Sequence, residues 1–256
     1  MNNKELKSYL DKLYFKYKDK HSSKDPVWIL HEFQDAKDIE IAGLITSCYA
    51  YGRVDQINIF IKRFLKNIDF KVHEFTSNYS EHKDKKYLAA LSYRFNTEND
   101  LSLLLKNINN ILNKYQSLQD LFVENYHDEH QNILEALDNF TLKLNEYSDS
   151  ETNHGYLIPL SKNRSTCKRL NLFLRWMIRK DEIDIGIWEK VDMSKLIMPV
   201  DTHIYRVSRK LKMVKRNTCD LKFALELTDK LRKFDQKDPV KYDFALCHAG
   251  MEKAVL

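Results

Sequence analysis

The sequence predicts an all-α protein, and three observations support this fold class. Only 5 Gly and 4 Pro occur in 256 residues, which favours helices joined by short turns. No alternation of apolar and polar residues persists long enough to indicate a half-buried strand. Side chains typical of helix N-caps, mostly Asp, Ser and Thr, precede most of the apolar runs.

The helix boundaries follow from these caps. Asp25 and Asp238 each precede a proline, which suits the first position of a helix. Further predicted caps are Asp38, Thr97, Ser117, Ser165, Asp201 and Thr218. The predicted helices cover residues 4–20, 25–33, 38–50, 53–67, 70–79, 83–93, 98–114, 117–125, 129–147, 165–180, 201–213, 218–233 and 239–251.

Charge divides the chain into two predicted lobes. Residues 151–256 contain 22 Lys and Arg against 14 Asp and Glu, whereas residues 1–150 contain 20 against 23. The polar segment 148–165 is the predicted connection between the two lobes. Because clustered cations contact phosphates, the C-terminal lobe is expected to bind a polyanion; a merely solvated basic surface is the alternative.

Membrane, metal and redox-cofactor functions are not indicated. The N-terminus carries no apolar signal region, and no window approaches the roughly 18 apolar residues of a membrane span. The four cysteines are scattered singly, without the spacings that hold zinc or an iron–sulfur cluster. We expect a cytoplasmic monomer that needs no metal and no cofactor.

The predicted helix 165–180 has one cationic and one apolar face. At 100° per residue the cationic side chains fall within about 60° of arc. They are Arg164, Lys168, Arg175 and Arg179. No acidic residue occurs between Glu151 and Asp181, so nothing nearby in sequence neutralises this face. It is therefore either a phosphate-binding surface or an ordinary amphipathic helix with a solvated stripe.

Asp201 begins the next long helix and has two compatible interpretations. After Pro199 and Val200, an aspartate at this position is expected to cap the helix through its backbone amides. A carboxylate held in that way is also suited to stabilise positive charge that develops on a sugar ring.

The segment Val200-Asp201-Thr202-His203-Ile204-Tyr205-Arg206-Val207 resembles the helix-opening motif of the helix–hairpin–helix DNA glycosylases of the endonuclease III superfamily. Residues 40–50 resemble the early helix of that superfamily, which ends at its DNA-facing loop, and residues 242–247 resemble its final pocket helix. The chain also resembles a family of uncharacterised bacterial proteins that share Ala-Tyr-Gly-Arg, Cys-Lys-Arg-Leu-Asn and Val-Asp-Thr-His segments. The second resemblance implies no activity.

The glycosylase resemblance implies a two-lobed helical fold with the active site between the lobes. Lys168 precedes Asp201 by 33 residues, a spacing similar to that of the archaeal 8-oxoguanine glycosylases. The resemblance implies that Lys168 is the nucleophile and Asp201 the catalytic carboxylate of a bifunctional DNA glycosylase and AP lyase. Residues 159–165 stand in place of the glycine-rich hairpin of the superfamily. Side chains, rather than closely approaching backbone amides, would therefore have to contact phosphate there.

The resemblance and the basic face together give a predicted set of contacts with damaged double-stranded DNA. Asp243 is expected to recognise an oxidised guanine, with 8-oxoguanine as the first choice. A carboxylate can accept hydrogen bonds from the two adjacent donors on the edge of the guanine. The alternative is that Asp243 only belongs to a capping turn. Cys247 would pack on the base, with Phe173 or Trp176 stacking on it. The predicted DNA contacts are Tyr49, Arg53, Lys162, Arg164, Ser165, Arg169, Arg175, His203 and Arg206.

Two other functional classes stay open at this stage. One is a non-catalytic helical protein that binds DNA or RNA through the same basic face. The other is a protein-interaction scaffold, which would have no affinity for nucleic acid.

Overall fold

The structure is a computed structural model, and it describes residues 1–18, 24–147, 153–160 and 165–252. Within these ranges the regular structure is helical, and extended pairing is limited to two isolated bridges, Tyr93 with Asn96 and Lys180 with Ile185. The predicted all-α class is therefore confirmed. None of the described helices is long and apolar enough to cross a membrane.

The α-helices are α1 Asn3–Tyr17, α2 Ala36–Cys48, α3 Val54–Asn67, α4 Val72–Ser77, α5 Glu81–Asp84, α6 Glu98–Lys114, α7 Leu118–Val123, α8 Leu134–Leu144, α9 His154–Leu157, α10 Lys168–Ile178, α11 Thr202–Lys210, α12 Leu221–Arg232 and α13 Asp243–Met251. Short 3₁₀ helices cover Pro26–Glu32, Lys85–Leu88 and Met193–Lys195. Most observed helices lie within the predicted ranges and are shorter by a few residues. The predicted helix 83–93 is wrong, since α5 and one 3₁₀ helix end before Ala90, which has a left-handed φ of 59°.

Helix capping explains several of the boundaries. Thr97 caps α6 in a reciprocal box with Asp100, and Asp201 caps α11, both as predicted. The predicted cap Asp38 instead accepts a hydrogen bond from the backbone of His73, at 2.7 Å. Asp220 rather than Thr218 caps α12. Local sequence therefore identifies where helices begin more reliably than which of several polar residues caps them.

The chain divides into two compact units. Unit 1 comprises α1, residues 128–133 and the described residues from 165 onwards, and unit 2 comprises the other described residues between 24 and 160. The lobes expected from charge divided the chain at residue 150. The structure instead groups α1 with the C-terminal helices, and side chains of α1 bond to the two residues that flank α13.

In unit 1, helix α13 packs against both α1 and α11. The hydroxyl of Tyr17 on α1 donates to Glu252 at 2.7 Å, and that of Tyr242 donates to Asp11 at 2.6 Å. Gly250 permits the close approach of α11, since a Cβ there would lie 3.1 Å from the Cβ of His203. This close packing brings the beginning of α11 alongside α13.

In unit 2, helix α2 lies at the centre, and every residue from Ile39 to Cys48 is buried. Helix α6 packs against α4, α7 and α8. The buried Glu40 accepts hydrogen bonds from the backbone amides of Leu118 and Gln119, at 2.9 and 3.0 Å. A buried carboxylate thereby caps α7, which explains a charge in the core of this unit.

Candidate catalytic site

The beginning of helix α10 is tied to the segment that precedes α11, within unit 1. Cys167 stands before α10 in a left-handed conformation with φ 47°, and its amide bonds to Ser165 Oγ at 3.1 Å. The hydroxyl of Thr166 donates to the carbonyl of Val200 at 3.2 Å. Thr166 stands two residues before Lys168 and Val200 directly before Asp201, so the two predicted catalytic residues lie on adjoining segments.

The carboxylate of Asp201 performs two tasks with its two oxygens. Oδ1 accepts hydrogen bonds from the amides of His203 and Ile204, each at 2.8 Å, so the predicted N-cap is confirmed. Oδ2 faces α13, where the thiol of Cys247 donates to it at 3.8 Å. The cap therefore fixes one oxygen and aims the other at the helix that carries Asp243.

Asp243 is a buried carboxylate in the same cluster. One guanidinium nitrogen of Arg175 donates to Asp243, and the other two bond to Asp184 at 3.1 and 3.0 Å. Burial raises the pKa of Asp243 to about 6, although the charges of Arg175 and Lys168 act to lower it and the charge of Asp201 raises it further. Lys168, Arg175, Asp201 and Asp243 therefore form one electrostatically coupled set, which we call the four-charge cluster.

The predicted cationic face of helix 165–180 is wrong for two of its arginines. The side chain of Arg175 is 4% exposed and that of Arg179 is 7% exposed. Arg179 bonds to Asp238 at 2.7 Å, to Asp184 at 2.9 Å and also to Asp181. Arg175 on α10 and Arg179 at its C-cap therefore point into the protein interior, and Arg175 cannot contact a phosphate as predicted.

Three of the four predicted base-pocket residues are enclosed in unit 1. Asp243 is engaged by Arg175, which is inconsistent with its predicted reading of a guanine edge. Phe173 and Trp176 are completely buried, and the Phe173 ring packs edge-on against Trp188 with a centroid distance of 5.2 Å. The stacking prediction for these two rings is therefore wrong. Cys247 is half-buried beside Asp201.

Among the predicted DNA contacts in unit 1, Arg206 is exposed, and Arg169, Ser165 and His203 are half-buried. Lys162 and Arg164 lie outside the described residues. Ser165 already accepts the amide of Cys167, so its hydroxyl shapes the beginning of α10. Of the predicted contacts that the structure describes in this unit, Arg169 and Arg206 are therefore the arginines still accessible to a phosphate.

Two predicted DNA contacts belong to unit 2. Tyr49 is completely buried at the end of α2, where its ring lies 4.4 Å from that of Phe60, so the prediction that it contacts DNA is wrong. Arg53 is exposed before α3 and pairs with Asp55 at 2.9 Å. Such an exposed pair is weak, and it leaves Arg53 accessible to a ligand.

Sequence reasoning missed two side chains near the site. Thr166 joins the segments that carry Lys168 and Asp201, and Cys219, which is exposed before α12, lies near Asp201. Burial of its thiol and the charge of Asp201 raise the pKa of Cys219. Neither residue stands in a recognisable spacing, so only the folded chain reveals its proximity.

No curated protein and no solved structure matches this chain. A family model described as a protein of unknown function (DUF2400) matches residues 25–252. This match agrees with the predicted resemblance to an uncharacterised family and names no activity. By its sequence the chain belongs to the DUF2400 family.

Proposed function

We propose that this protein is a DNA glycosylase with AP lyase activity that acts on damaged DNA, with Lys168 as its nucleophile. Two observations support the proposal: Thr166, two residues before Lys168, bonds to Val200, the neighbour of Asp201, and the charges of Lys168 and Asp201 both act on the buried carboxyl of Asp243. An amine and a carboxylate in one partly enclosed cluster are the two groups that a Schiff-base excision reaction requires.

The reaction begins with the damaged nucleotide turned out of its stack. The unprotonated amine of Lys168 attacks C1′, the bond from C1′ to the base nitrogen breaks, and the base departs with the bonding electrons and then gains a proton. Opening of the sugar ring gives a protonated Schiff base between Lys168 and C1′. Loss of a proton from C2′ then expels the 3′ phosphate by β-elimination, and water releases the lysine.

Asp201 stabilises the positive charge that develops on the sugar during this sequence. Its Oδ1 is held by two helix amides, so the orientation of the carboxylate is fixed before substrate binds. Its Oδ2 faces Cys247.

Arg175 and Asp243 have a structural role in the proposed site and do not contact the damaged nucleobase. Their ion pair is buried and also joined to Asp184, so it links α10 to the beginning of α13. Lesion preference therefore does not come from Asp243. An oxidised purine such as 8-oxoguanine is the first substrate to examine because of the resemblance alone.

The test is reductive trapping on a duplex that contains an abasic site. Incubation with borohydride should give a covalent protein–DNA band that is lost in Lys168→Gln. Lys180→Gln is the matched control, because Lys180 is an exposed lysine just beyond the end of the same helix and its band should persist. An undiminished band in Lys168→Gln would move the nucleophile to another lysine, with Lys162 next to be replaced.

The alternative, a non-catalytic helical protein that binds DNA or RNA, makes a different prediction in the same experiment. It would give a shifted complex in a native gel and no covalent band for any lysine variant. Burial of Arg175 and Arg179 removes two of the cations on which this alternative depended. Absence of both the complex and the band would leave a protein-interaction scaffold.

A further inference from the structure

A tight turn in unit 2 projects two side chains into solvent. The amide of Tyr93 donates to the carbonyl of Asn96 at 2.8 Å, and the amide of Asn96 donates back at 3.0 Å. Arg94, at the tip of this turn, has φ 56°, a conformation that favours glycine. Arg94 and its neighbour Phe95 are both exposed. Such a conformation persists only where the surrounding structure holds it in place.

Aromatic rings surround this tip without being buried. Phe95 is 58% exposed and Tyr156 is 45% exposed, and their centroids lie 5.9 Å apart in an edge-on arrangement. Tyr51 packs edge-on against Tyr156 at 5.2 Å. The guanidinium of Arg94 lies 5.3 Å from the centre of the Phe95 ring and 5.7 Å from that of Tyr51. We call Tyr51, Arg94, Phe95 and Tyr156 the exposed aromatic cluster.

The backbone beneath this cluster is held in place by several hydrogen bonds. The hydroxyl of Tyr51 donates to Asn96 Oδ1 at 2.6 Å and approaches the carbonyl of Tyr93 at 3.2 Å. The side-chain amide of Asn153 donates to the carbonyl of Phe95 at 2.8 Å. The rings are therefore already arranged in the free protein, which reduces the entropy that a ligand must overcome.

We propose that the exposed aromatic cluster binds unpaired nucleotides of single-stranded nucleic acid, with bases stacked on Phe95 and Tyr156 and phosphates contacted by Arg94. Every base offers a face for stacking, and an exposed guanidinium supplies the opposite charge to the backbone. Arg53 is exposed in the chain segment next to Tyr51 and adds a second cation. Paired bases within a duplex do not expose these faces, so single strands are the expected ligand.

This binding does not depend on the proposed catalytic reaction. The cluster belongs to unit 2, whereas Lys168 and Asp201 belong to unit 1. It also differs from the predicted role of Tyr49, which is buried. The two proposals can therefore fail separately.

The test is fluorescence anisotropy with a labelled, undamaged oligothymidylate and full-length protein carrying Lys168→Gln. Phe95→Ala and Tyr156→Ala should each weaken binding about five-fold or more, as for loss of one stacked base. Phe15→Ala is the matched control, because Phe15 is 65% exposed on α1 and its ring has no place in the cluster. That control should bind as tightly as its parent.

Two results would overturn the proposal. One is absence of oligothymidylate binding by the parent protein, which would leave the cluster as a surface for a protein partner. The other is equal binding by Phe95→Ala, Tyr156→Ala and Phe15→Ala, with unchanged thermal unfolding showing that all three are folded. If the native protein gives no covalent band but the parent still binds oligothymidylate, the catalytic proposal fails and this one stands.

Discussion

Arg175 on α10 and Asp243 on α13 form a buried ion pair in the same charge cluster as Lys168 and Asp201. The side chains are 4% and 5% exposed, so neither charge has water as an alternative partner. Arg175 also holds Asp184, which gives one cation two buried carboxylates to neutralise. Stability of unit 1 and charge at the candidate site are therefore linked through one guanidinium.

Arg175→Met should destabilise the protein strongly. Removing one partner of a buried ion pair leaves the other charge without compensation, which costs about 3–5 kcal/mol of the free energy of unfolding. Urea denaturation measures this loss. Arg206→Met, which removes an exposed arginine from the same unit, should change the free energy by only about 0.5 kcal/mol or less. If both variants unfold at the same urea concentration, the Arg175 pair does not stabilise the fold.

Asp201→Asn should lower the rate of base excision by about 100-fold or more while leaving affinity for an uncleavable abasic analogue nearly unchanged. The carboxylate acts on charge that appears only in the transition state. Asparagine caps a helix about as well as aspartate, so α11 should persist. Single-turnover excision and a binding titration separate the two effects. Unaltered excision would reduce Asp201 to a helix cap.

Asp243→Asn should change stability in a manner that depends on pH. Because burial raises the pKa of Asp243 to about 6, the folded protein retains a proton that the unfolded chain releases. The contribution of Asp243 to stability is therefore greatest below its unfolded pKa of 3.8 and is lost as the pH rises through about 6. Relative to the native protein, Asp243→Asn should gain stability as the pH rises from about 3.8 to about 6, and the difference should stay constant above that. A constant difference between those two pH values would contradict the assignment.

Asp220→Asn should show the opposite trend. Hydrogen bonds from Arg216 lower the pKa of Asp220 to about 2, so its contribution is present above the unfolded pKa of 3.8 and disappears as the pH falls through about 2. The variant should therefore be less stable than the native protein near neutral pH and equal to it in strong acid. Asn retains the cap of α12, which leaves the lost charge as the main change. Urea denaturation across the acid range gives the comparison, and a deficit that persists in acid would indicate a damaged cap.

The sequence predicted the helices well because their determinants are local. Thr97 and Asp201 each cap the helix that follows, and their bonds reach no further than three residues. The fate of the cationic face could not be predicted in this way. Arg175 is separated from Asp243 by 68 residues and Arg179 from Asp238 by 59. A window without acids therefore appeared uncompensated, although folding supplies carboxylates from distant segments.

The candidate site was predicted in part for the same reason. Lys168 and Asp201 are each recognisable from the sequence by their place at a helix start, and the structure confirms both helix starts. The pairing of Asp243 with Arg175 could not be predicted, since Arg175 appeared to face solvent. The exposed aromatic cluster gave no signal, because Tyr51, Phe95 and Tyr156 are distributed along 106 positions of the chain.

Gly52→Ala should destabilise unit 2 and disturb the exposed aromatic cluster. Gly52 has φ 93°, and a Cβ there would lie 2.7 Å from Nη1 of Arg94 and 2.8 Å from the hydroxyl of Tyr93. Backbone strain of this kind costs on the order of 1–3 kcal/mol. The Tyr93 hydroxyl cannot retreat easily, because it donates to the carbonyl of Tyr51.

Gly155→Ala is the matched control for that substitution, since Gly155 also lies in unit 2 and a Cβ there would meet nothing within 4 Å. Its free energy of unfolding should stay level or rise slightly, because alanine restricts the unfolded chain. Urea denaturation of both variants decides the comparison, and oligothymidylate binding shows whether the Arg94 turn has moved. Equal stability of the two variants would mean that the backbone at residue 52 relaxes without strain, and the cluster would then not be rigidly preformed.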